Sequence, residues 1–442
     1  MALWAKADAI DEGRLRAAKA GLVALIAVTS LLPLFFVQPD EAPLHVNVFK
    51  YLAKTGAFLG SLFMVWQFLL GFRGAVSSVL PDLSFVVDVH KKLGQFGVPL
   101  VLLHPVFIGL YYVATEGQNI YALDLGTPFS WFVLLGMVLL ALVAAVVVTS
   151  LLRERLGFRR WLTTHLSTWL VPPMLFVHSF ALGQTVGGTG LRWYWWFLTA
   201  LVAALMAYRA AHRLGFGSTA HRVTSAREVA KGTTEILMAP QAGPVEPALG
   251  QFVYVRGGAG ENAHPYTVSA YDADSGTLGV TVSAAGPQSR ALQGAAAGDR
   301  ITIDGPFGVF TRPAMATDLK TVLVAGGVGI TAFRRLWQQF EADAGREAHL
   351  FYANEHYSDI AYRDELDALE HVQVVHVLND EPDFDGEQGL VDADLLRRHL
   401  EDDLPTYQFL VCGPPPMVVA LAEELAEAGV PDDRIRNELF AS

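Results

Sequence analysis

The first half of the chain is written in long apolar runs and the second half in short alternating ones. Six runs, at about Ala20–Val37, Thr55–Phe72, Leu83–Val113, Phe129–Leu152, Trp161–Ala181 and Trp193–Tyr208, carry few charges over stretches close to the roughly 20 residues a helix needs to cross a bilayer core. They predict six membrane-spanning helices. Asp11, Arg14, Arg16 and Lys19 precede the first run and no small-residue cleavage site follows it, so it reads as a retained helix rather than a signal peptide. Past Gly217 the period shortens. Gln251–Arg256, Tyr266–Ala270, Leu278–Ser283 and Arg300–Asp304 alternate between Gly, Pro and Asp turns, which predicts a small antiparallel β-barrel. From about Lys320 the buried runs TVLVAGG, HLFYAN, VQVVHVL and YQFLVCG alternate with helical stretches at Ala332–Ala342 and Met417–Ala428, the pattern of an open parallel sheet in an α/β domain. The expected architecture is an all-α six-helix membrane bundle over 1–212, a β-barrel over 213–315 and an α/β domain over 316–442.

Composition supports that division. Of 442 residues, 52% are hydrophobic and 17% charged, too apolar for a soluble globule of this length. Residues 1–212 hold 15 Lys and Arg against 10 Asp and Glu, whereas 213–442 hold 17 against 34. An acidic half of that size would repel phosphates, which excludes nucleic acid as a partner. Basic residues gather before the first run, in the second and fourth loops (Arg73; Arg153, Arg155, Arg159, Arg160) and after the sixth run (Arg209, Arg213). By the positive-inside rule both termini are cytoplasmic and the protein is integral to a plasma (inner) membrane, with its acidic half facing the nucleotide pool. A single cysteine, Cys412, forbids an internal disulfide and a four-thiolate iron–sulfur cluster.

Four histidines lie inside the apolar runs, His90 and His104 on the third, His165 and His178 on the fifth. Ionisable groups are costly in hydrocarbon, so each is a candidate functional residue, with an interhelical hydrogen bond as the alternative for any one alone. His90 and His104 are fourteen residues apart, about 1400° of rotation and 21 Å of rise, so both rings leave nearly the same helix face. His165 and His178 are thirteen apart and fall about 140° out of line on an ideal helix; Pro172 and Pro173 between them would supply the kink that restores alignment. Both runs point outward, which sets His90 with His165 near the cytoplasmic side and His104 with His178 near the outer side. Each pair suits a planar haem held through two imidazoles. Copper or zinc is the competing metal, and two imidazoles leave a zinc site incomplete.

In the second half, TVLVAGGVGITAF at Thr321–Phe333 is a strand, a glycine turn and a helix start, the arrangement that receives a phosphate. LVCGPPPM at Leu410–Met417 ends a second strand at the same sheet edge; the alternative is a Pro-rich strand terminator. HPYTVSA at His264–Ala270 brings a ring, hydroxyls and a histidine to a barrel strand, the groups needed to hold a flavin, and GPFGVF at Gly305–Phe310 would close that barrel. Phe440 would cover an aromatic ligand or be an ordinary buried strand residue.

Taken together, these motifs resemble the ferric reductase and NADPH oxidase superfamily, transmembrane flavocytochromes b that carry a ferredoxin-NADP reductase-like dehydrogenase domain. The resemblance includes the thirteen and twelve residues between paired histidines and runs from the first apolar run to Phe440. It implies His90, His104, His165 and His178 as ligands of two stacked b-type haems, and His264, Pro265, Tyr266 and Thr267 as FAD-binding residues, with Ser289 and Arg290 near the pyrophosphate. It also implies Gly326, Gly327, Gly329, Thr331, Gly413 and Pro414 as NADPH- or NADH-binding residues, with Cys412 and Phe440 at the site of hydride transfer. Relatives that prefer NADPH often place an arginine after the strand that is HLFYAN here. This chain has Glu355 and His356, and a carboxylate repels the 2′-phosphate, which favours NADH as well or instead. The implied activity is electron transfer from cytoplasmic NAD(P)H to a one-electron acceptor outside, O2 or Fe3+. The alternatives are a reductase that serves an extracytoplasmic redox partner and a membrane sensor with a nucleotide-binding domain.

Overall fold

The computed structural model describes residues 12–72, 76, 80, 82–213, 218–257, 263–343 and 346–439. The chain separates into two compact units, one helical up to Ala211 and one that begins at His212.

The helical unit contains α1 (Glu12–Leu31), α2 (Leu44–Leu70), α3 (Leu83–Glu116), α4 (Pro128–Leu151), α5 (Phe158–Leu166), α6 (Val171–Leu182) and α7 (Leu191–Arg213). Local chemistry sets several starts. Asp82 caps α3 by accepting the Phe85 N–H at 3.0 Å, and Thr127 followed by Pro128 opens α4. Phe58, Leu62, Leu139, Leu175 and Trp195 pack in a common core, while Phe35, Leu44 and Leu151 are about four-fifths exposed. Apolar side chains on the outside are what lipid requires.

Four stretches are long and apolar enough to cross a membrane: Gly13–Phe36, Leu44–Leu70, Phe85–Glu116 and Pro128–Leu151. The expectation of six such helices is thus corrected to four among the described residues. The fifth run is interrupted. Ser167–Leu170 forms a 3-10 turn between α5 and α6, and neither flanking helix alone is long enough to span. Two adjacent prolines mark the break: Pro172 and Pro173 occupy the first turn of α6, where their missing N–H groups cost nothing, and their rings crowd the carbonyls of the preceding turn, which here winds as 3-10. The sixth, α7, has 23 residues, but Arg192, Trp193, Tyr194, Trp195 and Trp196 dilute its first turns with polar and interfacial groups.

The second unit starts with a closed antiparallel barrel of β1 (Thr219–Ala230), β2 (Thr233–Pro240), β3 (Phe252–Arg256), β4 (His264–Tyr271), β5 (Leu278–Ser283) and β6 (Arg300–Phe307), in the order β1-β2-β5-β4-β3-β6. Alternate residues such as Val223, Ile236, Val253, Val268, Val280 and Ile301 fill its interior. A short helix, α8 (Pro287–Gln293), joins β5 to β6.

Next comes a six-stranded parallel sheet. Its strands are β7 (Thr321–Gly326), β8 (Ala348–Asn354), β9 (Val372–Leu378), β10 (Glu387–Gln388), β11 (Gln408–Gly413) and β12 (Ile435–Leu439), ordered β10-β9-β8-β7-β11-β12. Helices α9 (Arg334–Ala342), α10 (Ala393–His399) and α11 (Pro415–Glu427) connect them. Every residue of β7 and β11 is buried, as expected of parallel strands covered on both faces. The strand order reverses between β7 and β11, the kind of switch point outside whose carboxyl ends ligands bind in such sheets.

Candidate functional site

The four intramembrane histidines meet in two pairs. The ring centres of His90 and His165 are 6.2 Å apart, and those of His104 and His178 are 6.3 Å apart. The 3-10 turn accounts for the second helix's alignment. Four residues at about 120° rather than 100° per residue add about 80°, which cuts the offset between His165 and His178 from about 140° to about 60°.

Three rings are oriented by backbone carbonyls. Nδ1 of His90 contacts the Gln67 carbonyl at 3.0 Å, that of His104 the Ala53 carbonyl at 3.2 Å, and that of His178 the Phe132 carbonyl at 2.8 Å. A carbonyl only accepts, so each Nδ1 carries the proton and Nε2 carries the lone pair. His165 differs, with Nδ1 buried and unpartnered and its ring stacked on Trp161 at 5.0 Å. Gly136 on α4 makes room for the His104 and His178 pair, since a Cβ there would fall 2.5 Å from Cε1 of His178. Among the described residues no group of three or more His, Cys, Asp or Glu is placed to hold a metal ion.

On the barrel, strand alternation divides the HPYT motif. His264 and Tyr266 lie opposite Val255 and Val253, whereas Pro265 and Thr267 lie opposite Tyr254 and Phe252 and project to the other face. The first two line a cleft of about 300 Å³ together with Gln288, Ala291, Asp299 and Arg300. Burial lowers the His264 pKa, which favours the neutral ring, and raises that of Tyr266. Ser289 is buried in the first turn of α8, the helix that walls this cleft. Its hydroxyl accepts from the Gly286 N–H at 2.8 Å and donates to the Gly286 carbonyl at 2.9 Å, while Arg290 is exposed. On the other face Thr267 is buried beside Ser269, whose hydroxyl bonds Thr281 at 2.8 Å.

At the sheet edge, the glycine turn after β7 and the CGPPP turn after β11 touch backbone to backbone. A Cβ on Gly329 would sit 2.2 Å from the Cys412 carbonyl oxygen, so only glycine lets the turns meet. Gly326, Gly413 and Pro414 lie in the same contact, and the Thr331 hydroxyl donates to the Val328 carbonyl at 2.9 Å. The Cys412 side chain is fully buried in the core; burial, then the Glu438 carboxyl, pushes its thiol well above the usual range. Phe440 lies outside the described residues.

Several neighbours were not singled out in the sequence. Glu438 pairs with Cys412 across β11 and β12, and burial raises its carboxyl to about 7. Asn354 ends β8 with both amide atoms buried and unpartnered. A polar residue inside IRNEL or a strand-terminal asparagine carries no distinguishing pattern, and the carbonyls that orient the histidines leave no trace in side-chain identity.

A helical membrane region joined to a barrel and a switch-point sheet defines the class: a membrane-anchored, FAD- and NAD(P)H-dependent oxidoreductase. Residues 56–176 match the family described as ferric reductase like transmembrane component, and residues 323–423 match the oxidoreductase NAD-binding domain. NADH–cytochrome b5 reductase 1 of Arabidopsis thaliana is 31% identical over 195 residues, 41% of this chain and 69% of that protein. The NADH-cytochrome b5 reductase 1 of Candida albicans is 34% identical over 150 residues, 32% of this chain and 50% of its own length. Among solved structures, the ferredoxin reductase in carbazole 1,9a-dioxygenase is 22% identical, with a TM-score of 0.47 over 51% of this chain and 70% of that one. The chain is a ferric-reductase-like transmembrane domain fused to an NAD-binding reductase domain, an architecture that binds FAD and NAD(P)H.

Proposed function

We propose that this enzyme moves electrons from cytoplasmic NAD(P)H through FAD and two stacked b-type haems to a one-electron acceptor on the outer face, O2 giving superoxide or ferric iron. In this reading residues 1–212 hold the haems, 213–315 the flavin and 316–442 the nucleotide. The broken pair α5 and α6 and the less apolar α7 complete six crossings, with both termini cytoplasmic.

One observation carries the reading: two histidine pairs at the same separation, with three of the four rings locked by carbonyls. A metal between two imidazoles lies about 2 Å from each nitrogen, and a ring nitrogen lies about 1.2 Å from its ring centre, which puts the centres about 6.4 Å apart. The separations of 6.2 and 6.3 Å fit that value. A two-ligand site also has fewer donors than a metal bound by protein alone requires. Gln67, Ala53 and Phe132 hold the Nδ1 protons, which leaves the lone pair of each of those rings on Nε2. On the barrel, His264, Tyr266 and Arg300 offer a ring, a hydroxyl and a cation along one cleft, groups that fit part of a flavin dinucleotide. When bound, a flavin takes a hydride and releases its electrons singly, which suits one-electron haem carriers.

For the donor, the loops after β8 and β9 favour NADH. Glu355, Asp359, Asp380 and Glu381 gather there, and His356 Nδ1 is held by the Asp380 carbonyl at 2.9 Å. A further phosphate on the donor would be repelled by these four carboxylates.

The test is the absorption spectrum of detergent-purified protein before and after anaerobic NADH or NADPH. The expected result is flavin plus two b-haems per chain, reduced faster by NADH, with one haem per chain left in His104→Leu. A protein with flavin but no haem bands would overturn the haem assignment.

A further inference from the structure

Three of the four intramembrane rings take their plane from a carbonyl at Nδ1, and His165 does not. Its Nδ1 is buried without a hydrogen-bond partner. A ring fastened only at Nε2 by a metal can still turn about that bond, so a ligand without a second contact needs something else to fix its plane. The structure supplies a flat wall. Trp161 lies one helical turn before His165 on α5, at the i, i+4 spacing that puts two side chains on one face. The two rings stack with centres 5.0 Å apart and planes 28° from parallel, within the range that offset aromatic pairs prefer.

The indole is itself pinned to the neighbouring helix. Its Nε1–H donates to the Ser150 hydroxyl at 3.1 Å, and that hydroxyl donates onward to the Val146 carbonyl at 2.7 Å, so the last turn of α4 fixes where the ring points. The Arg153 guanidinium lies 4.6 Å from the centre of the same indole, a cation–π contact from the turn that joins α4 to α5. Helix α4 thus orients both histidines of the fifth apolar run, His178 directly through the Phe132 carbonyl and His165 through an aromatic go-between. The ring planes of His90 and His165 meet at 60°, and those of His104 and His178 at 83°.

We propose that Trp161 is a positioning residue: its indole, pinned by Ser150, sets the plane of the His165 ring and with it the angle between the two imidazoles of the His90 and His165 pair. The proposal rests on the reading that this pair holds a b-type haem. A stacked face resists tilting of the ring but gives its Nδ1 no acceptor, so His165 is held by shape where the other three rings are held by a hydrogen bond. The two histidine pairs are therefore supported differently, and only one of them answers to an aromatic side chain.

The test is electron paramagnetic resonance of the ferric, full-length, detergent-purified protein, since the largest g-value of a low-spin centre with two imidazole ligands follows the angle between the ring planes. The parent should give two such signals, and the one that survives in His104→Leu belongs to the His90 and His165 pair. Trp161→Leu removes the aromatic face, whereas Trp161→Phe keeps a face and gives up the N–H. The expected result is a shift or loss of that one signal in Trp161→Leu, with the other signal parental and Trp161→Phe closer to the parent than Trp161→Leu. A parental spectrum in Trp161→Leu would overturn the proposal while leaving the haem reading intact. So would an equal shift or loss in Trp161→Leu and Trp161→Phe, or a change in both signals alike, which would mark a general disturbance of the bundle. A parent protein without a low-spin haem signal would overturn the haem reading and the proposal together.

Discussion

Cys412 and Glu438 face each other across two parallel strands, and burial pushes both toward their neutral forms. A thiol held protonated in a core is a packing group, not a nucleophile. Iodoacetamide at pH 8 is therefore expected to leave Cys412 unmodified in the native protein and to label it after denaturation, read by mass spectrometry. For Glu438 the folded pKa, about 7, lies above the ordinary 4.5. Its contribution is fully present below about pH 4.5 and is lost as the pH rises through about 7, because only the unfolded chain ionises freely in that window. Glu438→Gln removes this penalty. The variant should gain stability on the parent between pH 5 and pH 8, by on the order of 3 kcal/mol at the upper end, read from its higher melting temperature. At Gly136 the added methyl of Gly136→Ala would enter the His178 ring. On the proposed two-haem reading the expected outcome is one b-haem per chain instead of two, measured as pyridine haemochrome against protein, with the His90 and His165 pair unaffected.

At the scale of elements, the 3-10 turn at Ser167–Leu170 sets the register of the second histidine pair. Replacing Pro172 and Pro173 by Ala would let α5 and α6 fuse into one regular helix and swing His178 about 80° away from His104. The reduced difference spectrum should then show the loss of one haem. This element also shows what was readable in the sequence. The fourteen-residue spacing on α3 lines up its histidines by helix geometry alone, whereas the thirteen-residue spacing needed a non-α segment whose type no residue pattern states. Strands β5, β8 and β9 follow from apolar runs, while β1 and β2 do not. Arg222, Arg227, Glu228 and Glu235 interrupt their alternation, and pairing between the two strands supplies the order that local pattern lacks. Edge strand β12, with Arg436, Asn437 and Glu438 in five residues, was hidden for the same reason. The HPYT motif was legible as chemistry, but its division between two barrel faces depends on the register against β3.

For the molecule as a whole, the barrel and sheet are joined by a buried ion network. Arg334 on α9 pairs with Glu235 of β2 and, at 2.9 Å, with Glu365, while its guanidinium lies 4.1 Å over the Tyr362 ring. Glu235 is 5% exposed and also pairs with Arg227 at 3.2 Å, so Arg334→Met would leave a buried carboxylate with one cation in place of two. The expected cost is about 2–3 kcal/mol, seen by calorimetry as a fall of roughly 5–10 °C in the melting of the C-terminal unit, with partial recovery when Glu235→Gln is added.

In the helical unit, both rings of α3 hang on one neighbour: His90 on the Gln67 carbonyl and His104 on the Ala53 carbonyl, fourteen residues apart along α2. Bilayer thickness is accommodated chiefly by helix tilt. A thinner or thicker membrane that leans α2 turns both imidazoles together, so lipid acyl length becomes a single dial acting on both of the proposed haem sites at once. In nanodiscs of graded chain length, the spectral signatures of both levels should shift together.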